Sequence, residues 1–396
     1  MKTPDSSVRT GLDLFDKKWP GKLRGSRLGL LVHPASINKK IEHAVGLFLK
    51  SKKVELKALF GPQHGIRGET QDNMVEWEGF VDPRTGLSVY SLYGDRRKPT
   101  PEMIRDVDVL AIDVQDVGAR YYTFIWTMEL CMQACVKSGK SIVVLDRPNP
   151  VGGCAIEGPV LDTAFASFVG QRPLPVRHGM TIGEIALYLR SEFYPSLDLH
   201  LIPLKGWERK MWFDETGLPW VMPSPNMPTL DTAIVYPGMC LLEGTNLNEG
   251  RGTTRPFEIF GAPFIEPDKL VDQLTSFNLP GVIFRPVYFQ PTFQKHSGKL
   301  CGGAQIHVLN REKFKPFKTG VAVIKAVRNL YPGHFSWKKP PYEYETKKMP
   351  IDLLAGTERV RKDIERGERL DRMEERWQEQ CGEFNKVHRK KYLIYR

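Results

Sequence analysis

The amino-acid sequence predicts an α/β protein with two lobes, the first of them built around a parallel sheet. Three observations indicate this: a length of 396 residues, four short apolar runs typical of buried strands, and helical segments between those runs. A chain of this length is long for one compact domain. Hydrophobic residues make up 41% and charged residues 26%, a composition typical of a globular protein with an ample core.

The four predicted strands lie in "LGLLVHPAS", "VELKALFGPQHG", "VDVLAIDVQDVG" and "SIVVLDRPNP", and each apolar run ends in turn-forming residues. Helical patterns lie between them in "KIEHAVGLFLKS", "TPEMIRDV" and "TFIWTMELCMQACVKSG", and Gly139 ends the last one. Strands that alternate with helices predict a parallel sheet with right-handed crossovers. We therefore expect a Rossmann-like lobe within residues 1–163.

A second α/β lobe is expected over residues 164–396, where the composition shifts to Pro-rich loops. In "RHGMTIGEIALYLRSEF", Thr181 is placed as the N-cap of a helix and Glu184 completes a capping box, so both are expected to be structural. From residue 349 the charges alternate at helical spacing, which predicts helices with solvated faces in the tail.

The formal net charge of +11 favours acidic ligands. The basic residues are spread along the chain without interleaved aromatics, so no nucleic-acid partner is expected. The first residues lack the apolar segment of a signal peptide, and no run is long enough for a membrane span. These features predict a cytoplasmic protein without a membrane partner; they do not indicate an oligomeric state.

Several cofactor and metal motifs are absent. No GxGxxG follows the first strand and there is no GxxxxGK[ST], so neither a dinucleotide nor a P-loop is expected, and we predict no cofactor. HExxH and the GxSxG elbow are also absent. The six cysteines form neither CxxC nor a zinc spacing, which predicts free, buried thiols and no metal site.

Polar side chains follow all four predicted strands. Because the carboxyl ends of parallel strands share one edge of the sheet, these side chains are expected to converge on a ligand crevice. One such residue alone more commonly caps a helix or shapes a turn. The residues concerned are His33, Pro34 and Ser36; Gln63, His64 and Arg67; Asp113, Gln115, Asp116 and Arg120; and Asp146, Arg147 and Asn149.

The motifs "FGPQHGIRGE", "DVQDVGARYYTF", "LDRPNPVGG", "PSPNMPTL" and "YPGMCLLEGTNLNEGRGTTRPFEIFGAP" resemble, in this order, those of the NamZ-type exo-β-N-acetylmuramidases. This is glycoside hydrolase family 171, formerly a domain of unknown function, and the resemblance covers most of the chain. It implies an active-site cleft between the two lobes. It also implies release of N-acetylmuramic acid from the non-reducing ends of peptidoglycan fragments.

The resemblance further implies that the partner is a small anionic amino sugar or muramyl glycoside. An arginine, Arg147, Arg251 or Arg255, would clamp its lactyl carboxylate in a bidentate manner. Asparagines would read the hydroxyls and the acetamido group, and the candidates are Asn149, Asn226 and Asn246. The remaining predicted substrate-binding residues are Arg67, Arg120, Tyr121 and Glu249.

One residue departs from the family pattern. Characterised members read PEHG where this chain has Gln63, and their Glu is the proposed catalytic acid. An amide cannot donate a proton to a leaving oxygen or act as a carboxylate nucleophile. Gln63 could orient the sugar while an acid elsewhere acts, the cleft could bind an amino sugar without hydrolysis, or Gln63 could only satisfy loop backbone groups.

We favour the first interpretation, since substrate assistance by a 2-acetamido group lets one acid suffice. The candidate acids are Asp116, Glu69, Glu243 and Glu249. Asp116 is preferred because it ends a buried strand beside Arg120 and Tyr121; its alternative role is a structural ion pair.

His64 is either a general acid or base, or a histidine that orients the loop. The sequence thus predicts a glycosidase acting on an N-acetylated amino sugar. The alternatives are a non-catalytic binding protein for muramyl sugars and, more distantly, an enzyme of other chemistry on an anionic small molecule.

Overall fold

The computed structural model describes residues 8–72 and 74–396. The strands, numbered along the chain, are β1 (Ser26–Val32), β2 (Val54–Gly61), β3 (Phe80–Val81), β4 (Ser88–Ser91), β5 (Val109–Asp113), β6 (Ser141–Leu145), β7 (Glu157–Val160), β8 (Pro175–Arg177), β9 (Leu199–Ile202), β10 (Ile259–Ala262), β11 (Val282–Phe289) and β12 (Cys301–Val308).

The α-helices are α1 (Gly11–Lys18), α2 (Ala44–Lys50), α3 (Phe124–Ser138), α4 (Ile182–Phe193), α5 (Leu230–Met239), α6 (Pro267–Ser276), α7 (Pro316–Leu330), α8 (Pro350–Ala355), α9 (Arg359–Glu365), α10 (Leu370–Phe384) and α11 (Lys390–Tyr392).

A seven-stranded sheet with the order β3-β4-β2-β1-β5-β6-β9 organises the first half of the chain. All neighbouring pairs are parallel except β3 with β4. The four strands predicted from sequence are β1, β2, β5 and β6, so both their existence and their parallel arrangement are confirmed. Strand β9 lies beyond residue 163 and yet pairs with β6. The lobe boundary at 163/164 remains a prediction.

Two of the three predicted helices of this lobe are confirmed as α2 and α3, and Gly139 ends α3 with φ of 63° in the left-handed region. The predicted helix in "TPEMIRDV" is wrong, because residues 101–106 form consecutive turns. Two backbone hydrogen bonds in this segment span three residues, from Arg105 N to Glu102 O and from Val107 N to Ile104 O. A segment this short forms an α-helix only when packing compensates its costly nucleation.

The second half of the chain packs helices against a three-stranded antiparallel sheet of order β10-β12-β11. The predicted capping box of α4 is present: the Thr181 hydroxyl accepts from Glu184 N, and the Glu184 carboxylate accepts from Thr181 N. The tail is helical as predicted, in α8 to α11. All six cysteines are free, and five of them are buried.

No helix within residues 8–72 and 74–396 combines the length and the apolar character that crossing a lipid bilayer requires. The predicted absence of a signal peptide concerns the start of the chain, and residues 1–7 lie outside the described part.

Direct contact between the backbones of α5 and α7 fixes the position of α5. A Cβ atom at Gly238 would lie 1.8 Å from the Pro316 carbonyl oxygen, and one at Gly320 would lie 2.2 Å from the Gly238 carbonyl oxygen. Only glycine fits at these two positions. The last turn of α5 also receives a hydrogen bond from the Tyr121 hydroxyl to the Pro237 carbonyl (2.6 Å), at a helix end where carbonyls lack intrahelical partners.

We expect Gly238→Ala to destabilise the protein by about 3 kcal/mol or more, because the methyl group would force α5 and α7 apart. Chemical denaturation measures this. The matched control is Gly382→Ala in α10, where a Cβ would meet nothing within 4 Å. That change should stabilise by about 0.5–1 kcal/mol, since alanine is the better helix former. Equal stability of the two variants would contradict the packing described here.

Candidate active site

A cavity with about 470 Å³ of empty space lies where the loops after β2 and β5 meet the second half of the chain. The first half supplies Gln63 and His64 from the loop after β2, together with the segment 121–124 at the start of α3. The second half supplies a 3₁₀ turn, Cys240–Gly244, and a loop that precedes α8. Six predicted site residues line the cavity, namely Gln63, His64, Tyr121, Asn226, Glu243 and Arg251.

Gln63 is joined to a glutamate from the other half of the chain, Glu343. The Gln63 Nε2 atom donates to Glu343 Oε1 (3.3 Å) and to the Tyr93 hydroxyl (3.0 Å). The Thr123 hydroxyl donates to Gln63 Oε1 (2.7 Å), which fixes the orientation of the amide. Tyr93 in turn donates to Glu343 Oε2 (3.0 Å). Both oxygens of Glu343 therefore face donors from the β2 side of the cavity.

The Tyr93 hydroxyl is oriented by two donors, Gln63 Nε2 and the backbone nitrogen of Met74 (2.8 Å). Its own proton is therefore left for Glu343. Since neither Gln63 Nε2 nor Tyr93 is arranged to accept a proton from Glu343, a proton carried by Glu343 is available to a ligand. The amide at position 63 thus acts as a fixed donor to the carboxyl.

Glu343 is buried, at 3% exposure. Burial raises the pKa of this carboxyl to about 7, and the negative charge of Glu243 acts in the same direction. Glu343 therefore keeps a substantial protonated fraction near neutral pH, as a general acid requires.

A tight turn holds Glu343 in place. Tyr342 and Glu345 exchange two backbone hydrogen bonds of 2.9 Å, and the two residues between them have positive φ, 44° for Glu343 and 68° for Tyr344. This is the pattern of a type I′ turn, normally formed by Gly, Asn or Asp. Non-glycine residues in this region cost free energy and concentrate at functional sites.

Sequence analysis missed Glu343. The segment "PPYEYET" has no metal, phosphate or nucleophile motif, and Glu343 lies 280 positions from Gln63. The one available signal was a glutamate flanked by two tyrosines in a short loop, which is weak on its own.

Glu243 is the second acid of the cavity, and its environment is the opposite of that of Glu343. Its Oε1 accepts from Arg251 Nη2 (2.7 Å) and its Oε2 accepts from the Tyr342 hydroxyl (2.6 Å). Burial acts to raise the pKa of Glu243, but the Arg251 charge and these hydrogen bonds hold it below the usual value. Glu243 is therefore held in its ionised form beside Glu343, which is partly protonated near neutral pH.

Arg251 is fixed by several partners and still has donor capacity. It is 6% exposed, forms an ion pair with Glu249 through Nε (3.3 Å), and lies over the Phe257 ring with Cζ 5.1 Å from the centroid. Lys295 completes the group with an ion pair to Glu249 (2.7 Å). Within residues 8–72 and 74–396, Arg251 Nη1 has no hydrogen-bond partner. A buried, unpartnered guanidinium N–H in a cavity is suited to an anionic ligand group.

His64 lines the cavity with its ring held by the loop. Its Nδ1 donates to the Thr70 carbonyl (2.7 Å), which leaves Nε2 as an acceptor. Burial lowers the pKa of His64 to about 4. The His64 backbone has a φ of 71°, in the left-handed region, which is strained for a residue other than glycine. The ring is therefore neutral at neutral pH and suited to accept a hydrogen bond from a ligand hydroxyl.

Asn226 and Tyr121 line the cavity but are engaged elsewhere. Asn226 Nδ2 donates to the Gln71 carbonyl (2.8 Å), and this bond connects the loop after β2 to the second half of the chain. The Tyr121 hydroxyl donates to the Pro237 carbonyl in the last turn of α5.

Asp116, the preferred acid from sequence, is not among the residues that line the cavity. Its Oδ2 accepts from Gly118 N (2.7 Å) and interacts with His178 Nε2 (3.1 Å). The carboxylate thereby stabilises a turn and a neighbouring histidine, and its buried Oδ1 has no hydrogen-bond partner within the described residues. A catalytic role for Asp116 stays a prediction from the sequence.

Three further predicted residues at the strand ends also have structural partners. The Arg120 guanidinium is fully buried and donates to the carbonyls of Pro159, Leu174 and Leu354. Arg147 forms a two-bond ion pair with Asp113 (2.6 and 2.8 Å).

Asn149 donates to the Met180 carbonyl and accepts from Val151 N. Like Arg120 and Arg147, it lies outside the cavity lining.

The remaining predicted residues are also absent from the lining. Arg67 and Glu69 are exposed, and Arg67 packs on the Phe80 ring. Asn246 bonds the backbone of His334 and Ser336, and Arg255 pairs with Glu258 (3.0 Å). Glu249 does not line the cavity, but it forms an ion pair with Arg251, which does.

No cluster of three metal-ligating side chains occurs within the described ranges.

We expect Arg251→Met to destabilise the protein by about 3 kcal/mol, because Glu243 and Glu249 would lose a buried counter-charge. Chemical denaturation at neutral pH measures the loss. The control is Arg285→Met, which changes an exposed strand arginine bonded to Gln305 (2.7 Å) and should cost less than about 1 kcal/mol. Similar losses in both variants would show that the buried ion pairs are not important for stability.

The family model for the N-terminal part of exo-beta-N-acetylmuramidase NamZ matches residues 28–231, and the model for its C-terminal part matches residues 234–395. The peptidoglycan beta-N-acetylmuramidase NamZ of Bacillus subtilis (strain 168) is 47% identical over 388 residues, which cover 98% of this chain and 91% of that protein.

Two crystal structures of DUF1343 family proteins from Bacteroides fragilis NCTC 9343 have the same fold. One has a TM-score of 0.89 at 35% identity and covers 99% of this chain and 100% of its own. The other has a TM-score of 0.76 at 31% identity and covers 98% and 99%. The two family matches together span most of the chain, and the chain belongs to the NamZ family of exo-β-N-acetylmuramidases.

Proposed function

We propose that this protein is a glycosidase of the exo-β-N-acetylmuramidase type, which releases an N-acetylated muramyl sugar from peptidoglycan-derived fragments. The observation that carries the proposal is a pair of buried carboxyls in one cavity, Glu343 with neutral hydrogen-bond donors and Glu243 with a guanidinium partner. Paired carboxyl groups, one neutral and one ionised, are the usual equipment of glycosidases. The B. subtilis relative, named for this activity, supports the substrate class.

Glu343 is assigned as the proton donor to the glycosidic oxygen. The carboxyl is protonated often enough near neutrality, and its two oxygens are oriented by Gln63 and Tyr93. This assignment agrees with the first of the three interpretations in that the acid is supplied from elsewhere, but the acid is a residue that was not among the candidates, and Gln63 contacts that acid where the interpretation has it orient the sugar. Gln63 then positions the acid instead of being the acid.

Glu243 is assigned as the fixed negative charge of the site. As the glycosidic bond breaks, positive charge develops at the anomeric carbon, and a preorganised carboxylate stabilises it. Because Arg251 and Tyr342 hold both of its oxygens, Glu243 stays ionised and stationary while the charge develops.

Arg251 is assigned to the lactyl carboxylate of the sugar. Its Nη1 is buried and has no hydrogen-bond partner within the described ranges, so a carboxylate would receive a charge-assisted bond there. His64 Nε2 is assigned to a sugar hydroxyl. A cytoplasmic location stays a prediction from the sequence.

Glu343→Gln should lower kcat on a chromogenic N-acetylmuramic acid glycoside by about 10²–10⁴-fold, since an amide cannot supply the proton. The melting temperature should be retained. The matched control is Glu345→Gln in the same turn, whose carboxylate accepts from Lys347 N and is not among the lining residues; its activity should be unchanged. No release by the wild type, with thermal stabilisation by the free sugar, would instead favour the non-catalytic binding protein.

The pH profile tests the assignment of the acid. With the pKa of Glu343 at about 7, kcat/KM should fall about tenfold per pH unit above neutrality, because the protonated form is lost as pH rises. Gln63→Glu removes a donor to Glu343 and adds a second carboxyl in its place. Like charges in contact raise the pKa of the pair, so the alkaline limb should move to higher pH. An unmoved limb would contradict the role of Glu343.

A further inference from the structure

An open groove lies beside the cavity, between the segment 95–100, helix α3 and the segment 166–172. It contains about 1240 Å³ of empty space, part of which is open solvent. Four cationic side chains, Arg96, Arg97, Lys98 and Arg172, line it together with a single carboxylate, that of Asp95. We refer to it as the basic groove.

The cations of the basic groove are not equally available. Arg172 is neutralised by an ion pair with Glu129 (2.5 Å). Arg96 and Lys98 are exposed, and they form no ion pair within residues 8–72 and 74–396. Glu102 attracts Arg96 electrostatically without forming an ion pair with it, so both side chains can still pair with an anion.

Arg97 connects the basic groove to the active cavity. Its Cζ lies 4.6 Å from the centroid of the Tyr344 ring and 5.4 Å from that of Phe168. Tyr344 is the neighbour of Glu343 in the turn, and Val169, the neighbour of Phe168, lines the cavity. The Phe168 ring also packs on Tyr93 (5.9 Å between centroids). Arg97 and Phe168, which line the groove, therefore contact side chains that adjoin the cavity.

We propose that the basic groove binds the part of the glycan that lies beyond the released sugar, and that Arg96 and Lys98 pair with the carboxylate of its next muramyl residue. The inference rests on the function proposed above. An enzyme that removes terminal sugars holds one sugar in a cavity, and the rest of the chain must leave along an open surface. In a peptidoglycan glycan without stem peptides every second sugar carries a free lactyl carboxylate, so a cationic surface beside the cavity is complementary to the emerging chain.

The test compares two substrates that begin with the same terminal N-acetylmuramic acid: a disaccharide with N-acetylglucosamine, and the tetrasaccharide that contains a second muramyl residue. The variant is Arg96→Ala/Lys98→Ala, which leaves Arg97 and the turn of Glu343 in place. We expect kcat/KM for the tetrasaccharide to fall roughly three- to tenfold, mostly through KM, with the disaccharide unaffected. Raising the ionic strength should reduce the wild-type preference for the tetrasaccharide in the same way.

The control is Lys17→Ala/Lys18→Ala, which removes two exposed cations from α1, a helix that packs near β6 and β9 at the other end of the sheet. It should leave both substrates unaffected. Equal rates of wild type and Arg96→Ala/Lys98→Ala on the tetrasaccharide, or equal losses on both substrates, would overturn the inference alone. No hydrolysis of either substrate by the wild type would reject the proposed function and the role of the groove with it.

Discussion

The hydrogen bond from Gln63 to Glu343 is the interaction on which the site depends. It joins the carboxyl end of β2 to the turn that precedes α8 in the second half of the chain. Neither half contains a complete site, since one contributes the amide and the other the carboxyl. The loop after β2 is also bonded to Asn226 and, through Glu76, to Tyr344 (3.2 Å). Docking of the two halves thus assembles the proposed catalytic group.

Two glutamates of the same cavity differ in charge because their partners differ. Glu343 is surrounded by neutral donors, so the cost of burial dominates and its pKa rises. Glu243 has a guanidinium partner, and that charge outweighs burial. An amide at position 63 suits this division, because a second carboxylate beside Glu343 would compete with it for one proton. Gln63 is on this account compatible with an active enzyme.

Periodicity was sufficient to predict the parallel sheet and helices α2 to α4, because these follow from local patterns. Residues that follow only two of the four strands, β2 and β5, line the cavity, so the predicted convergence of all four strand ends is not seen there. Gln63, His64, Glu243 and Arg251 were found because they lie in dense polar motifs. Asp116, Arg120 and Arg147 lie in equally polar motifs but bond to nearby backbone or to Asp113, and sequence cannot distinguish such partners from a ligand. Glu343 was missed because its role depends on burial against a distant strand, which has no local signature.

The protonation state of Glu343 can be measured directly by infrared difference spectroscopy of the wild type minus Glu343→Gln in D₂O across pH. The subtraction is needed because burial also raises the pKa of Asp146 and of Glu157 to about 7. The account predicts a protonated carboxyl band in mildly acidic buffer that disappears with a midpoint near pH 7. A midpoint at about 4.3, the ordinary value of a glutamate, would contradict it.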